Sequence, residues 1–257
     1  VAIATTDNES GPQVWKNGKL VRFQDGTSVS NYYWIDRNTP NKEALFYNTV
    51  RRPETIQCQW LPASLCAAQY GVSGDERGIM TAIKTVRGQS TAAGFMRSDA
   101  ILHVIFVSDE DERSNGGSGI RQLVADDLPA TLISALGGVS ATKKFQLHSI
   151  VRVPSEFVNV DYFVNGGGFQ SCVDRQRAMV DSGGSPQGYE FDGCHYVQAS
   201  ALTGGRVGDI RNYNYTSTFN EIGSNIVDTS LAQINFRCVP SDLRVEPLAG
   251  YPYPSSL

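Results

Sequence analysis

A chain of 257 residues with 40% hydrophobic and 10% aromatic residues can bury a full core, as one large domain or two small ones, which excludes a disordered polymer. Its formal net charge of -4 argues against a nucleic-acid binder, because such domains usually carry a basic surplus. No apolar run approaches the roughly 18 residues of a membrane span, and with only 19% charged residues the polar surface must come from Ser, Thr, Asn, Gln and Gly.

In chain order, Val1 to Asp7 reads as a buried strand, Val1-Ala2-Ile3-Ala4 running into Thr5-Thr6-Asp7. The chain opens on Val, inside an apolar run, with no basic n-region or apolar h-region. We therefore expect a processed or excerpted product with a segment missing upstream. A Gly/Asn-rich stretch follows to about residue 75, holding short strand candidates at Lys19 to Phe23 and Asn31 to Ile35 and a turn at Asp25-Gly26. Ile79, Met80, Ile83 and Val86 recur at helical spacing and predict a helix over 73–87, with Ser73-Gly74-Asp75-Glu76 as its capping box.

Residues 100–107, Ala-Ile-Leu-His-Val-Ile-Phe-Val, form the most strand-like run. It is apolar on both faces, as a central parallel strand would be, and stops at Ser108-Asp109-Glu110-Asp111-Glu112. A second helix is expected over 127–136, with Asp127 as N-cap, Pro129 in the first turn and Gly137-Gly138 at the end. Phe145 to Val153 is the next strand. The segment 154–194, rich in Gly and Ser and weakly periodic, reads as an insertion. A short helix over 195–203, ended by Gly204-Gly205, leads to a short strand at Arg206 to Ile210, and Phe219, Ile222, Ile226 and Leu231 mark a C-terminal helix. Strands alternating with helices imply an α/β layer fold with a mainly parallel sheet.

The five cysteines form no C-x-x-C zinc or redox motif. They are either buried or free thiols, or two local disulfides of an exported protein, Cys58 with Cys66 and Cys172 with Cys194, leaving Cys238 over.

In an open parallel sheet, ligands bind outside the carboxyl ends of the strands. That directs attention to Asp7, to Asp109 and to the helix start at Ser73, whose loops are expected to converge. The run Asp109 to Glu112 sets four carboxylates in a row. It is either a solvated acidic turn or a site for a hard cation, which takes oxygen ligands from Asp, Glu, Ser and Thr. Ser73 is likewise an N-cap or a ligand, Asp75 and Glu76 suit the positive end of the helix dipole, and Asp7 is good turn chemistry. His103 and His148, inside apolar strands, read as packing residues. His195 beside Cys194 makes a poor nucleophile–base dyad, because adjacent side chains point apart. There is no G-x-S-x-G elbow, Walker A loop or G-x-G-x-x-G fingerprint, and no catalytic residue is assigned.

The string Val-Ile-Phe-Val-Ser-Asp-Glu-Asp-Glu at 104–112 resembles the fourth strand and metal loop of bacterial von Willebrand factor A-like domains. Val-Ala-Ile-Ala-Thr-Thr-Asp at 1–7 is similar to that family's second strand, Gly-Val-Ser-Gly-Asp-Glu-Arg-Gly at 71–78 to the loop and helix start before the fourth strand, and Tyr196 to Ile210 to the later helix-turn-strand. The resemblance implies a Rossmann-like three-layer sandwich over 1–235, with the insertion at about 154–194 and a C-terminal extension at 236–257. It also implies a metal-ion-dependent adhesion site. Carried over, Asp109 and Ser73 are the metal ligands, with Asp7, Asp75, Glu110 and Asp111 around the bound partner. The cofactor would be Mg²⁺, or Ca²⁺ or Mn²⁺, bound weakly or not at all, since the D-x-S-x-S motif is absent and the family's first strand lies outside the chain.

The function implied is a metal-dependent protein-binding module of an exported bacterial protein, in the periplasm, at the cell surface or outside the cell. Its partner would be a protein ligand or a neighbouring subunit. Neither nucleic acid nor a membrane span is expected. Two alternatives stand beside it: a structural subunit of a surface appendage or fibre that accepts a strand from a neighbour, or from the missing N-terminal segment, and a Mg-dependent hydrolase or phosphotransferase.

Overall fold

A computed structural model of the chain describes residues 1–6, 18–26, 28–51, 56, 58, 60–62, 65, 77–87, 94–95, 100–112, 130–131, 133–134, 145–181 and 191–231. A small hairpin, β1 (Gln24–Asp25) with β2 (Ser28–Val29), turns around Gly26, whose positive φ of 61° suits the tight turn expected at Asp25-Gly26. Helix α1 (Lys42–Val50) follows. It was not expected in a Gly/Asn-rich stretch, and its burial explains why. Only Leu45 and Thr49 are buried on it, while Phe46, Tyr47 and Val50 are exposed, so no apolar stripe marks it in the sequence. Leu45 packs with Phe23 and Ile35 in a small separate core, and the Thr49 hydroxyl accepts from the Gln24 N–H at 2.8 Å.

The N-terminal run is not the continuous buried strand expected. Ala2 and Ala4 make isolated antiparallel bridges with Trp34 and Leu20, and Val1 is exposed. These bridges bring the strand candidates around 20 and 34 to the chain start as isolated pairs.

The main sheet has three parallel strands in the order β3 (Leu102–Ser108), β4 (Phe145–Val151) and β5 (Val207–Asp209). The α/β class with a parallel sheet is therefore as the alternation of elements implies. The register sets Leu102, Val104 and Phe106 beside Phe145, Leu147 and Ser149 on one face. Against that face pack α2 (Gly78–Val86) through Ile79, Ile83 and Val86, and α5 (Cys194–Leu202) through Tyr196, Val197 and Ala199. Between β4 and α5 lie two further helices, α3 (Val160–Asn165) and α4 (Gly168–Asp181), which bring Phe163, Phe169 and Val173 into the same core. The segment read as an insertion is thus helical. Its Gly166-Gly167-Gly168 forms the corner between two helices, with Gly167 at φ 90°.

On the opposite face α6 (Thr216–Leu231) crosses β4 and β5. The Thr229 hydroxyl donates to Gln146 at 3.0 Å, and a Cβ on Gly208 would fall 2.3 Å from the Thr218 methyl, so the glycine permits the close approach. The β3 end of that face is different: Ile105 is 40% and Val107 57% exposed, although both belong to the most apolar strand. Among the described residues β3 pairs only with β4. The helix expected at 127–136 falls largely outside the described residues. No described helix is long and apolar enough to cross a membrane.

Candidate functional site

The acidic run after β3 divides into three roles. Ser108 opens it with a tight turn: its hydroxyl donates to the Glu110 carbonyl at 2.9 Å and accepts from the Glu110 N–H at 3.3 Å. Asp109, at the apex, is exposed and makes no hydrogen bond or ion pair with a described residue. Glu110 is half-buried.

Asp111 and Glu112 turn inward, at 2% and 0% exposure, and each closes the N-terminus of a different helix. Asp111 Oδ1 accepts from the His195 backbone N–H at 3.0 Å, and Oδ2 lies 2.8 Å from His195 Nδ1, which donates to it. Both oxygens are therefore committed to the first turn of α5. Glu112 accepts from the N–H groups of Ile79 at 2.5 Å and Met80 at 3.4 Å and from the Tyr196 hydroxyl at 3.0 Å. The same tyrosine hydroxyl accepts from the Gly78 N–H at 3.0 Å. Carboxylates at helix N-termini satisfy orphan donors and sit at the positive end of the dipole, which is why two charges are tolerated here in a buried loop.

This arrangement corrects the expected capping of α2. The helix starts at Gly78, and its N-cap Arg77 makes no side-chain cap bond. The cap comes instead from Glu112, 33 residues away in sequence. A residue that caps from such a distance leaves no local signal, whereas Ser73-Gly74-Asp75-Glu76 carries a capping box just ahead of the helix. Ser73, Asp75 and Asp7 lie outside the described residues. The Thr81 hydroxyl in α2 donates to the Thr6 carbonyl at 3.4 Å, while the first turn of α2 rests on Glu112. Among the described residues no group of three or more His, Cys, Asp or Glu side chains is placed to hold a metal ion.

Cys172 and Cys194 form a disulfide, with Cα atoms 6.1 Å apart, joining α4 to the first residue of α5. Both are fully buried. Cys58 is also disulfide-bonded, with a partner outside the described residues, where Cys66 and Cys238 both fall.

The two strand histidines are coupled rather than independent packing residues. The Arg206 N–H donates to His148 Nδ1 at 3.0 Å, so the His148 proton sits on Nε2, and that atom lies 3.2 Å from His103 Nδ1. The rings stack with centroids 5.5 Å apart. Burial, with the His103 and Arg206 charges nearby, pushes His148 down to about 4, and burial lowers His103 as well. The unfolded chain takes up His148's proton near pH 6.5 and the folded chain only near 4. The protein should therefore lose up to about 3 kcal/mol as pH falls across that window, with no further His148 contribution below it. Urea unfolding at several pH values, on wild type and on His148→Gln, isolates the effect. Equal pH slopes for the two proteins would refute it.

Comparison with protein-family models, with curated proteins and with solved structures finds no match to this chain.

Proposed function

We propose that this chain is a metal-dependent protein-binding module of von Willebrand factor A-like, Rossmann-like architecture, from an exported bacterial protein. One observation carries the reading. Asp109 stands at the carboxyl end of an apolar parallel strand with its carboxylate uncommitted, while its neighbours Asp111 and Glu112 anchor the loop from beneath. A loop built that way presents one acidic oxygen pair rigidly over the sheet edge, where ligands of parallel sheets bind. The chain at Thr6, next to Asp7 in sequence, meets α2 through the Thr81 hydroxyl. Mg²⁺, or Ca²⁺ or Mn²⁺, held by Asp109 with Ser73 and waters, would be completed by a carboxylate of the protein partner. The disulfides support an oxidising compartment.

Calorimetric titration with Mg²⁺ and Mn²⁺ tests the reading. We expect weak binding, with Kd on the order of 10⁻⁴ to 10⁻³ M, as in extracellular cation sites. Asp109→Ala should weaken it at least about tenfold while changing stability by less than about 0.5 kcal/mol, because the side chain is exposed and unbonded. Binding that survives in Asp109→Ala sinks the proposal.

The exposed apolar pair Ile105 and Val107, on a strand that pairs only with β4 among the described residues, favours a second reading, a structural subunit whose sheet accepts a strand from a neighbour. In that case cation titrations are flat. The protein then associates in solution through the β3 edge, and Val107→Lys shifts it toward monomer.

A further inference from the structure

Away from the acidic run, the carboxyl ends of β4 and β5 open into a groove of about 750 Å³, floored by the first residues after each strand and walled by the first turns of α6. Its charged side chains differ in how far they are committed. Arg175 is spent: it grips Glu156 through Nε at 2.7 Å and Nη2 at 3.0 Å, and Asp192 through Nη2 at 2.7 Å. Arg211 clamps Asp209 and donates through Nη2 to the Val153 carbonyl at 3.1 Å, tying the two strand ends together. Arg152 is less fully engaged: its Nε lies 2.9 Å from Asp192 Oδ1, an ion pair whose N–H direction leaves the hydrogen bond unmade, and its charge also favours the Asp209 carboxylate. Its two terminal nitrogens make no hydrogen bond to a described residue.

The groove also contains the N-terminal turn of α6, a second feature that favours negative charge. On the same helix Glu221 is exposed and makes no hydrogen bond or ion pair with a described residue. The site thus offers one guanidinium whose terminal nitrogens make no bond to a described residue and one carboxylate likewise unbonded, within a single polar groove of ligand size. Asp192, Asp209 and Glu221 around it oppose a dianion such as phosphate, whereas the planar Arg152 fork matches a single carboxylate.

We propose that this groove binds a zwitterionic ligand, its carboxylate on Arg152 and its ammonium on Glu221. Such a ligand is either a free amino acid or a segment of a protein partner carrying one acidic and one basic side chain. The inference is independent of the metal reading, and Asp109→Ala should leave it unchanged.

The probes are ω-amino carboxylates from glycine to 6-aminohexanoate, with the alkyl carboxylate and alkylamine of each length as controls, and the blocked peptide acetyl-Asp-Gly-Lys-amide. Binding is read by calorimetry. At least one zwitterion should bind at least tenfold more tightly than both of its controls. Arg152→Gln should lose that binding at least tenfold. Glu221→Gln should bring the zwitterion down to the level of its carboxylate control. Arg152→Lys, which keeps the charge beside Asp192, should lose part of the affinity, and circular dichroism of each variant reports that the fold is retained. Tighter binding of the blocked peptide points to a protein partner, and of the free amino acids to a small molecule. If no probe binds better than its controls, or folded Arg152→Gln binds as wild type does, the proposal is wrong.

Discussion

Asp111→Ala should destabilise the protein by about 2 to 5 kcal/mol in urea unfolding, since each of two buried donors left without its acceptor costs about 1 to 3 kcal/mol. The substitution strips the acceptor from the His195 N–H and from His195 Nδ1, both in a residue that is 1% exposed. It does so at the first turn of α5, next to the Cys172–Cys194 bridge. Asp111→Asn should cost less. Its amide oxygen can still take the backbone N–H, and the imidazole can shift its proton to Nε2 and accept from the amide nitrogen. That order, Ala worse than Asn, separates a specific pair from a general preference for charge in the loop. If Asp111→Ala unfolds within about 0.5 kcal/mol of wild type, the loop does not hold α5 as described.

Glu112→Ala is expected to cost about 3 kcal/mol: roughly 1 to 2 for the lost N-terminal cap of α2 and a further 1 to 2 for the buried Tyr196 hydroxyl left without its acceptor. Tyr196→Phe provides the complementary measurement, since it removes the hydroxyl from both Glu112 and the Gly78 N–H. Because the three groups form one network, the double variant should cost less than the sum of the two single changes. Additive losses would show that Glu112 and Tyr196 stabilise the protein separately. The contrast with Asp109→Ala is the sharper point. Within four consecutive acidic residues, the structure expects near-neutral stability at the first and large losses at the last two.

That contrast was only half visible in the residues themselves. The alternation of apolar runs with helical spacings identified β3, β4, β5, α2, α5 and α6 to within a few residues, because each carries a burial pattern that its own length is enough to show. The α/β class follows from that order. The Cys172–Cys194 pairing was also legible as one of two possibilities, as two cysteines flanking a single segment. Helix α1 was not, since only Leu45 and Thr49 face its small core. The helices α3 and α4 were hidden by a glycine triplet that reads as a flexible loop until it is seen to be a corner.

What the sequence determined by itself is the strongly patterned elements, among them a parallel strand that ends in acid at residue 109. Which of those acids faces solvent was decided only by the tertiary structure. Asp111 and Glu112 are buried because the N-termini of α5 and α2 arrive beneath the loop and supply donors, and those helices are 84 and 33 residues distant along the chain. The same holds for Arg152. Its sequence neighbours do not distinguish it from the other arginines; it differs because it shares Asp192 with Arg175 and meets that carboxylate through Nε alone, while Arg211 holds Asp209. Local pattern fixes periodicity and turn chemistry through forces that act within a few residues, whereas the commitment of a charge depends on which donors and acceptors long-range packing delivers to it.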